Sequence, residues 1–350
     1  MTVTESSGSR SSGPWSPRRR YPNPEGAARR AALLEALQEP GGGYVSGEEL
    51  AARLGLSRTA VWKQINRLRA DGYEIEARAR AGYRLVSAPD RLYPEALAPR
   101  LRGLRLAKSV HSYERVGSTM EVARGLAEEG AEEGTLVIAE SQEAGRGRLG
   151  RAWVSAPGVG LWFSLVLRPR LLPAQVAKTT LLAAVAAAEA VAAVTGLAPG
   201  IKWPNDLLLE GKKLCGILTE LKGQADAVEY LILGVGLNVN HRQEDFPPEL
   251  RDQATSLYLV GGREVERAEV LAAFLGELEK RYCPWQETGD DSWLEEWKRR
   301  NVTLGRRVRI TLLSEEFCGR ALDLDRDGSL IVEGDDGRPR VFRAGDVFLL

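Results

Sequence analysis

Histidine is nearly absent. His111 and His241 are the only two in 350 residues, which argues against chemistry built on imidazole bases or a histidine-rich metal cage. The three cysteines, Cys215, Cys283 and Cys318, are far apart and odd in number. They fit neither a disulfide framework nor zinc-ligand spacing, and a reducing cytoplasm is the expected setting. Neither sign of charge is in excess: 48 basic residues balance 48 acidic ones, so any attraction to nucleic acid or membrane has to be local. No apolar run reaches the ~20 residues a bilayer demands. The most apolar stretch, LLAAVAAAEAVAAVTG, is shorter and carries Glu189. An apolar signal core is missing from the N-terminus as well. These absences predict a soluble, intracellular protein with no membrane partner. Its chemistry has to run on arginine, lysine, carboxylates, backbone amides and a bound cation. A Walker A sequence is also missing, which excludes a P-loop enzyme.

Among what is present, residues 144–153, AGRGRLGRAW, set Gly145, Gly147 and Gly150 at G-x-G-x-x-G spacing. A dinucleotide-binding turn needs a helix afterwards and an acidic residue about 20 positions on. Neither follows. There is no Asp or Glu between Glu143 and Glu189, and AWVSAPGVGLWFSLVLRP reads as strand. The loop therefore holds a ligand by other means. Arg146, Arg148 and Arg151 put three fixed positive charges into six residues, and arginine forks match phosphate and carboxylate oxygens in pairs. Trp153 beside them predicts a flat ligand stacked on indole.

Residues 1–26 are Ser, Gly, Pro and Arg with little to bury, and read as a disordered tail carrying a solvated basic run at 18–20. Over residues 27–88 the pattern becomes helix, turn, helix and hairpin. Ser46 caps GEELAARLG, Gly55 breaks it, and Ser57 caps RTAVWKQINRLRADG. Val61, Ile65 and Leu68 share one face of the second helix. Arg58, Thr59, Trp62, Lys63 and Asn66 share another, the layout of a recognition helix in a major groove. YEIEARARAGYRLV follows as a wing with Arg78 and Arg80 near its tip. From residue 57 to residue 84 there are 7 basic residues against 3 acidic ones, which favours DNA over a purely protein-binding use. Residues 89–300 mix strands (109–116, 135–140, 161–167, 201–203, 207–209, 214–221 and 230–233) with helices (119–128, 174–195, 267–282 and 292–299), an α+β core. From 301 onward short strands separated by the Asp-Gly turns of LDRDGS and EGDDGRP predict a small all-β unit.

Three further islands carry polar groups. In GSTM, residues 117–120, Ser118 and Thr119 taken alone are ordinary helix caps. In KWPNDLLLEGKKLCGIL, Asp206 either holds a cation, orients a lysine or closes an Asx turn after Pro204. Lys213 enters a strand among apolar neighbours and is placed to reach an anion. In GVGLNVN, Asn238 is either a turn residue or an amide that pairs with an adenine edge.

Taken together and in this order, GST, ESQEAGRGRLGRAW, KWPND, KKLCGIL and GVGLNVN closely resemble biotin protein ligase. The N-terminal SGEELAARLGLSRTAVWKQINRLRADGY resembles the winged helix of its bifunctional subclass, the ligase and biotin-operon repressor. The resemblance implies an α+β chain in three parts. These are an N-terminal winged helix-turn-helix, a central mixed β-sheet with flanking helices like that of class II aminoacyl-tRNA synthetases and biotin ligases, and a small C-terminal SH3-like β-barrel. It also implies that biotin and ATP, with Mg²⁺, give biotinyl-5′-AMP and pyrophosphate. A lysine of biotin carboxyl carrier protein, in acetyl-CoA carboxylase, then takes the biotinyl group. Carboxylate and triphosphate repel, so positive groups aimed at the reacting phosphate lower the barrier, and an ionised carboxylate needs no histidine base.

Carried over by motif, Ser118, Thr119, Met120, Gln142, Gly145, Arg146, Gly147, Arg148, Lys213 and Gly216 would bind biotin. Arg146, Arg148, Arg151, Trp153, Asn205, Lys213 and Asn238 would bind ATP and the adenylate. Catalysis would rest on Arg148 closing over the adenylate, Lys213 on the carboxylate and α-phosphate, and Asp206 taking a proton from the acceptor lysine. The family usually has Asn where this chain has Met120. Ser57, Arg58, Thr59, Trp62, Lys63, Arg78 and Arg80 would face operator DNA, biotin would be the corepressor precursor, and a homodimer is the implied assembly. The alternatives are a lipoate or octanoyl ligase of related fold and a ligand-sensing repressor that catalyses nothing.

Overall fold

Ser46 accepts a hydrogen bond from the Glu49 amide at 3.1 Å and Ser57 one from the Ala60 amide at 3.2 Å, so two helices start where the capping serines predict. The computed structural model describes residues 18–20, 24–38, 43–170, 172–224, 227–312 and 315–350. Its N-terminal unit comprises β1 (Arg18–Arg20), α1 (Pro24–Leu37), α2 (Gly47–Leu54), α3 (Arg58–Ala70), β2 (Glu74–Arg78) and β3 (Gly82–Ser87). Gly55 ends α2 at φ 61°, a left-handed conformation open to glycine without penalty. Val61, Ile65 and Leu68 pack with Leu33, Leu37 and Leu50 into a core of their own. Trp62, on the opposite face of α3, is 52% exposed. β2 and β3 form the antiparallel wing, with Arg80 in its turn. Of the segment read as a tail, residues 1–17 and 21–23 lie outside the described residues. Residues 18–20 instead pair with an edge of the central sheet, which satisfies backbone groups that an open edge leaves bare, and α1 begins at Pro24.

α4 (Pro94–Leu101), absent from the sequence reading, joins this unit to the next. Pro94 and Pro99 disguise it, although proline suits a first helical turn. Its buried Glu95 pairs with Arg30 of α1 at 2.7 Å.

The central domain continues through β4 (Ser109–Val116), α5 (Thr119–Glu128), β5 (Thr135–Gln142), β6 (Gly160–Leu167), α6 (Val176–Thr195), β7 (Gly200–Lys202), β8 (Asp206–Leu209), β9 (Lys212–Gly223), β10 (Val228–Asn238), α7 (Leu257–Gly261), α8 (Arg267–Thr288) and α9 (Trp293–Arg300). The sheet order is β1-β4-β5-β6-β10-β9-β8-β7. Only β4 and β5 pair in parallel, joined through α5, and the other pairs are antiparallel. β5 and β6 are buried along nearly their whole length, because α5 covers one face of the sheet while α6 and α8 cover the other.

α6 corrects an expectation. It starts at Val176, upstream of the apolar run quoted above, and so reaches 20 residues, long and apolar enough to cross a bilayer by length and composition. Yet 72% of its apolar window is buried inside the protein, where Lys178 and Glu189 pair with Asp291 and Arg300 at 2.6 Å each.

The C-terminal unit comprises β11 (Arg307–Leu312), β12 (Glu315–Leu324), β13 (Leu330–Gly334), β14 (Pro339–Phe342) and β15 (Asp346–Leu349). They form an SH3-like antiparallel sheet in the order β14-β13-β12-β11-β15. Val308, Ile310, Leu330 and Val332 belong to the same hydrophobic cluster as the central helices. Trp203 donates its indole N–H to the Gly328 carbonyl at 3.0 Å and its amide to Thr303 Oγ1 at 2.9 Å. A boundary at residue 300 therefore divides elements but not cores.

Candidate active site

Polar groups from three elements meet where β4 gives way to α5. The Thr119 amide and hydroxyl both approach Gln142 Oε1, at 2.8 and 3.1 Å, and the same hydroxyl lies 2.8 Å from Ser164 Oγ. Gln142 Nε2 in turn donates to Ser155 Oγ at 2.9 Å. Ser118 stands at the helix start yet makes no capping bond through its side chain, so the ordinary cap reading of Ser118 and Thr119 fails. The Gln142 amide oxygen takes over that role. Around this chain lies a narrow inner slot of about 50 Å³, lined also by Met120, Arg146, Gly147, Arg148, Trp153, Asn205, Lys213, Gly216 and the Gly234–Gly236 segment of β10. Met120 makes one wall apolar. Its thioether lies against Gly234, where a Cβ would come within 2.7 Å of the sulfur. Gly145, expected to touch ligand, lines neither this slot nor its neighbour. It is needed for close packing, since a Cβ there would sit 2.6 Å from the Trp153 carbonyl oxygen.

A second, outer cavity of about 560 Å³ is lined by Arg151, Lys202, Asp206, Asn238, His241, Phe246 and residues 347–349 of β15, and it shares Trp153 and Lys213 with the slot. Trp153, expected to stack on a flat ligand, is itself held by the sheet. Its indole lies on the backbones of β9 and β10, where a Cβ on Gly216 or Gly236 would come within 2.8 or 2.5 Å of the ring. Trp162 packs against it edge-on at 6.3 Å, and Lys213 Nζ stands 5.3 Å from the ring centre. The ring is thus a partition between the two cavities, and Lys213 sits beside it at their junction.

The charges are arranged around that junction. Asp206 Oδ1 is 2.7 Å from Lys213 Nζ and Oδ2 is 3.3 Å from Lys202 Nζ. Each carboxylate oxygen of Asp206 thus faces a lysine, which places Asp206 to aim Lys213. Of the readings open for Asp206, this arrangement favours orienting a lysine over closing an Asx turn, because the pairing of β8 with β9 brings Lys213 onto a residue seven positions earlier. Arg148 Nη1 donates to the Gly345 carbonyl at 2.9 Å, lies 3.4 Å from Asn205 Oδ1 and is 4.0 Å from Asp346. Burial pulls the Arg148 guanidinium below its ordinary pKa, against the pull of Asp346 and Asp206, so its charge is under-compensated and an incoming anion is favoured there. Arg151 pairs with Asp346 and faces the outer cavity alone, whereas Arg146 pairs with Glu121 at 2.8 Å. Asn205 is fixed by donating to the Ile217 carbonyl at 2.9 Å. Asn238 is no turn residue. It ends β10, is buried, and donates to the Thr255 carbonyl at 3.0 Å.

Sequence reasoning gave no role to His241, Phe246, Gly345 or Asp346. His241 is buried, and burial lowers its pKa to about 4, leaving a neutral ring stacked on Phe246 at 4.9 Å. Histidine scarcity was the only signal available for it. For Gly345 and Asp346 there was none, because their approach to the arginine loop spans nearly 200 residues. Among the described residues no three of His, Cys, Asp or Glu lie together as a metal site, and Asp206 is committed to lysines. These residues do not fit a protein-held Mg²⁺. A magnesium ion bound through nucleotide phosphates and water needs no such cage.

A separate groove on the N-terminal unit brings together Arg58, Thr59, Trp62, Arg78 and Arg80 with Ser46, Glu48 and Tyr83. Ser57 is instead engaged in capping α3, and Lys63 is exposed outside this groove.

Comparison with known proteins agrees with the three parts. Residues 112–238 match the model of the biotin/lipoate A/B protein ligase family, residues 29–84 that of an HTH domain, and residues 303–350 that of the biotin protein ligase C-terminal domain. The chain is 40% identical over 315 residues to the bifunctional ligase/repressor BirA of Bacillus subtilis, covering 90% of this chain and 97% of that one. It is 28% identical to BirA of Escherichia coli, covering 88% and 94%. A solved biotin protein ligase from Aquifex aeolicus, in complex with biotin and ATP, superposes with a TM-score of 0.60 at 30% identity, covering 69% of this chain and 99% of that chain.

Proposed function

The chain belongs to the biotin/lipoate A/B protein ligase family, and from that membership we propose how its two cavities divide the work. The protein is an ATP-dependent biotin protein ligase that is also a DNA-binding repressor. Biotin's ureido ring, with one carbonyl acceptor and two N–H donors, enters the inner slot against Ser118, Thr119 and Gln142. The nucleotide takes the outer cavity, its base toward Asn238. The reacting carboxylate and α-phosphate then fall at the junction, where Lys213 is aimed by Asp206 and Arg148 lacks a full counter-charge. That shared wall carries the reading.

In the first step a carboxylate oxygen of biotin bonds to the α-phosphorus while the bond to pyrophosphate breaks, and Lys213 and Arg148 stabilise the charge that builds on the phosphoryl oxygens. In the second, the amine of an acceptor lysine bonds to the acyl carbon, AMP leaves and the amine loses a proton. Asp206, locked between two lysines, is not the acceptor of that proton. The acceptor is biotin carboxyl carrier protein. The groove with Arg58, Arg78 and Arg80 takes operator DNA, the protein acts as a homodimer, and the cytoplasm is its compartment.

The test is a transfer assay with purified protein, ATP and a carrier domain. Biotin should release pyrophosphate and label the carrier, while lipoate should do neither. Response to lipoate alone would transfer the assignment to a lipoate ligase, and operator binding without any turnover would leave a pure repressor.

A further inference from the structure

Apart from Met1, Met120 is the only methionine in the chain. It is the second residue of α5, is buried, and belongs to the lining of the inner slot. Its sulfur and Cγ occupy the room that Gly234 leaves, where a Cβ would come within 2.7 and 2.9 Å of them.

The slot measures about 50 Å³. A cavity of about 150 Å³ takes a single benzene ring, so no two-ring head enters this slot unless a wall moves. Most of its walls are held. Thr119 and Gln142 are bound into the hydrogen-bonded chain that ends at Ser155 and Ser164. On the sheet side the wall is strand backbone at Gly216, Gly234 and Gly236, where β9 and β10 pair. Phe163, on β6, is buried and packs edge-on against Phe274 of α8 at 5.2 Å. Met120 differs in kind. Its side chain is unbranched, turns about three bonds and carries a soft thioether, which lets methionine refit an irregular gap at small cost.

Biotin's head is a cyclic urea fused along one bond to a five-membered thioether ring. With the urea against Ser118, Thr119 and Gln142, the fused ring falls on the apolar share of the lining, Met120, Leu218 and Val235. We infer that Met120 is the specificity-determining residue of the slot. It changes rotamer to admit the two-ring head and then packs on the thioether ring, so a fused sulfur ring is preferred to the same urea without one. The inference rests on the reading that biotin fills the inner slot.

Desthiobiotin keeps the cyclic urea and a carboxylate-ended chain but lacks the sulfur, and so isolates this contact. In wild type, kcat/KM for ATP-dependent pyrophosphate release should favour biotin over desthiobiotin by about tenfold or more, the scale of a methylene-sized contact in an apolar pocket. Met120→Ala should cut that preference to about twofold, the loss falling mainly in the KM for biotin. A preference that Met120→Ala leaves intact overturns the inference, as does a wild-type protein that treats the two acids alike. If the alanine variant does not fold, NMR of wild-type protein isotopically labelled on its methionine methyl groups decides. The Met120 signal, identified by its loss in the volume-conserving Met120→Leu, should move on adding biotin and move less on adding desthiobiotin. Equal shifts, or none in protein that turns over biotin, overturn the inference as well. Failure of both acids to release pyrophosphate would sink the functional reading instead.

Discussion

Lys213 is the residue on which the proposed chemistry turns, because its ammonium stands at the wall common to both cavities, 2.7 Å from Asp206. Lys213→Ala should lower the rate of biotin-dependent pyrophosphate release by roughly 10²–10³-fold, the usual cost of losing one donor to a developing charge. Wild-type turnover in that variant would remove Lys213 from the mechanism. Arg148→Gly should let biotinyl-5′-AMP escape and label bystander lysines, since the buried cation that attracts the anion is lost. Full retention of the intermediate would disprove the clamp. His241 makes a pH prediction. Its pKa falls from an ordinary 6.5 to about 4 on burial, so between those values the unfolded chain binds more protons than the folded one. The stability this implies is complete above about pH 6.5 and is lost as pH falls toward about 4, amounting to roughly 3 kcal/mol. In denaturant titrations, the stability of wild type relative to His241→Gln should fall over that window. A difference independent of pH would contradict it.

At the scale of elements, β9 and β10 present glycines where the Trp153 ring rests. In Gly236→Ala the new Cβ would lie 2.5 Å from the indole, so the ring has to move, at about 1–3 kcal/mol of overpacking. The expected result is a lower melting temperature together with weaker biotin binding by calorimetry. Gly125→Ala on α5, with no atom within 4 Å of the new Cβ, is the control and should be neutral or slightly stabilising. Equal effects from the two would remove Trp153 from the partition role. The same elements mark the limit of what pattern reading reaches. The capping serines, the two recognition-unit helices and the strands were legible because each depends on neighbours a few positions away. α4 was not, since its prolines imitate a loop, and the apolar run within α6 looked too short for a bilayer, although the helix was read over 174–195, because its first residues are less apolar than its middle.

For the whole molecule, the cores decide which parts stand alone. A chain ending at residue 300 loses the strands that share the central cluster and the Gly345 and Asp346 partners of the arginine loop, and should be insoluble or melt without a cooperative transition. A chain lacking residues 1–88 loses a unit with its own core and should still release pyrophosphate. Thermal unfolding and turnover of the two truncations test this, and similar behaviour in both would refute the shared core. By itself the sequence determined the three-part order, the family, and the arginine, lysine and glutamine groups that line the two cavities, because short motifs carry their chemistry in residue type and close spacing. Tertiary structure alone decided that Asp206 meets both Lys202 and Lys213, that Trp153 separates the two cavities, that β15 reaches the arginine loop, and that Arg267 ties the linker ahead of α4 to the sheet. Those facts depend on which distant groups share a low-dielectric interior, where a charge must find its partner across the fold rather than along the chain.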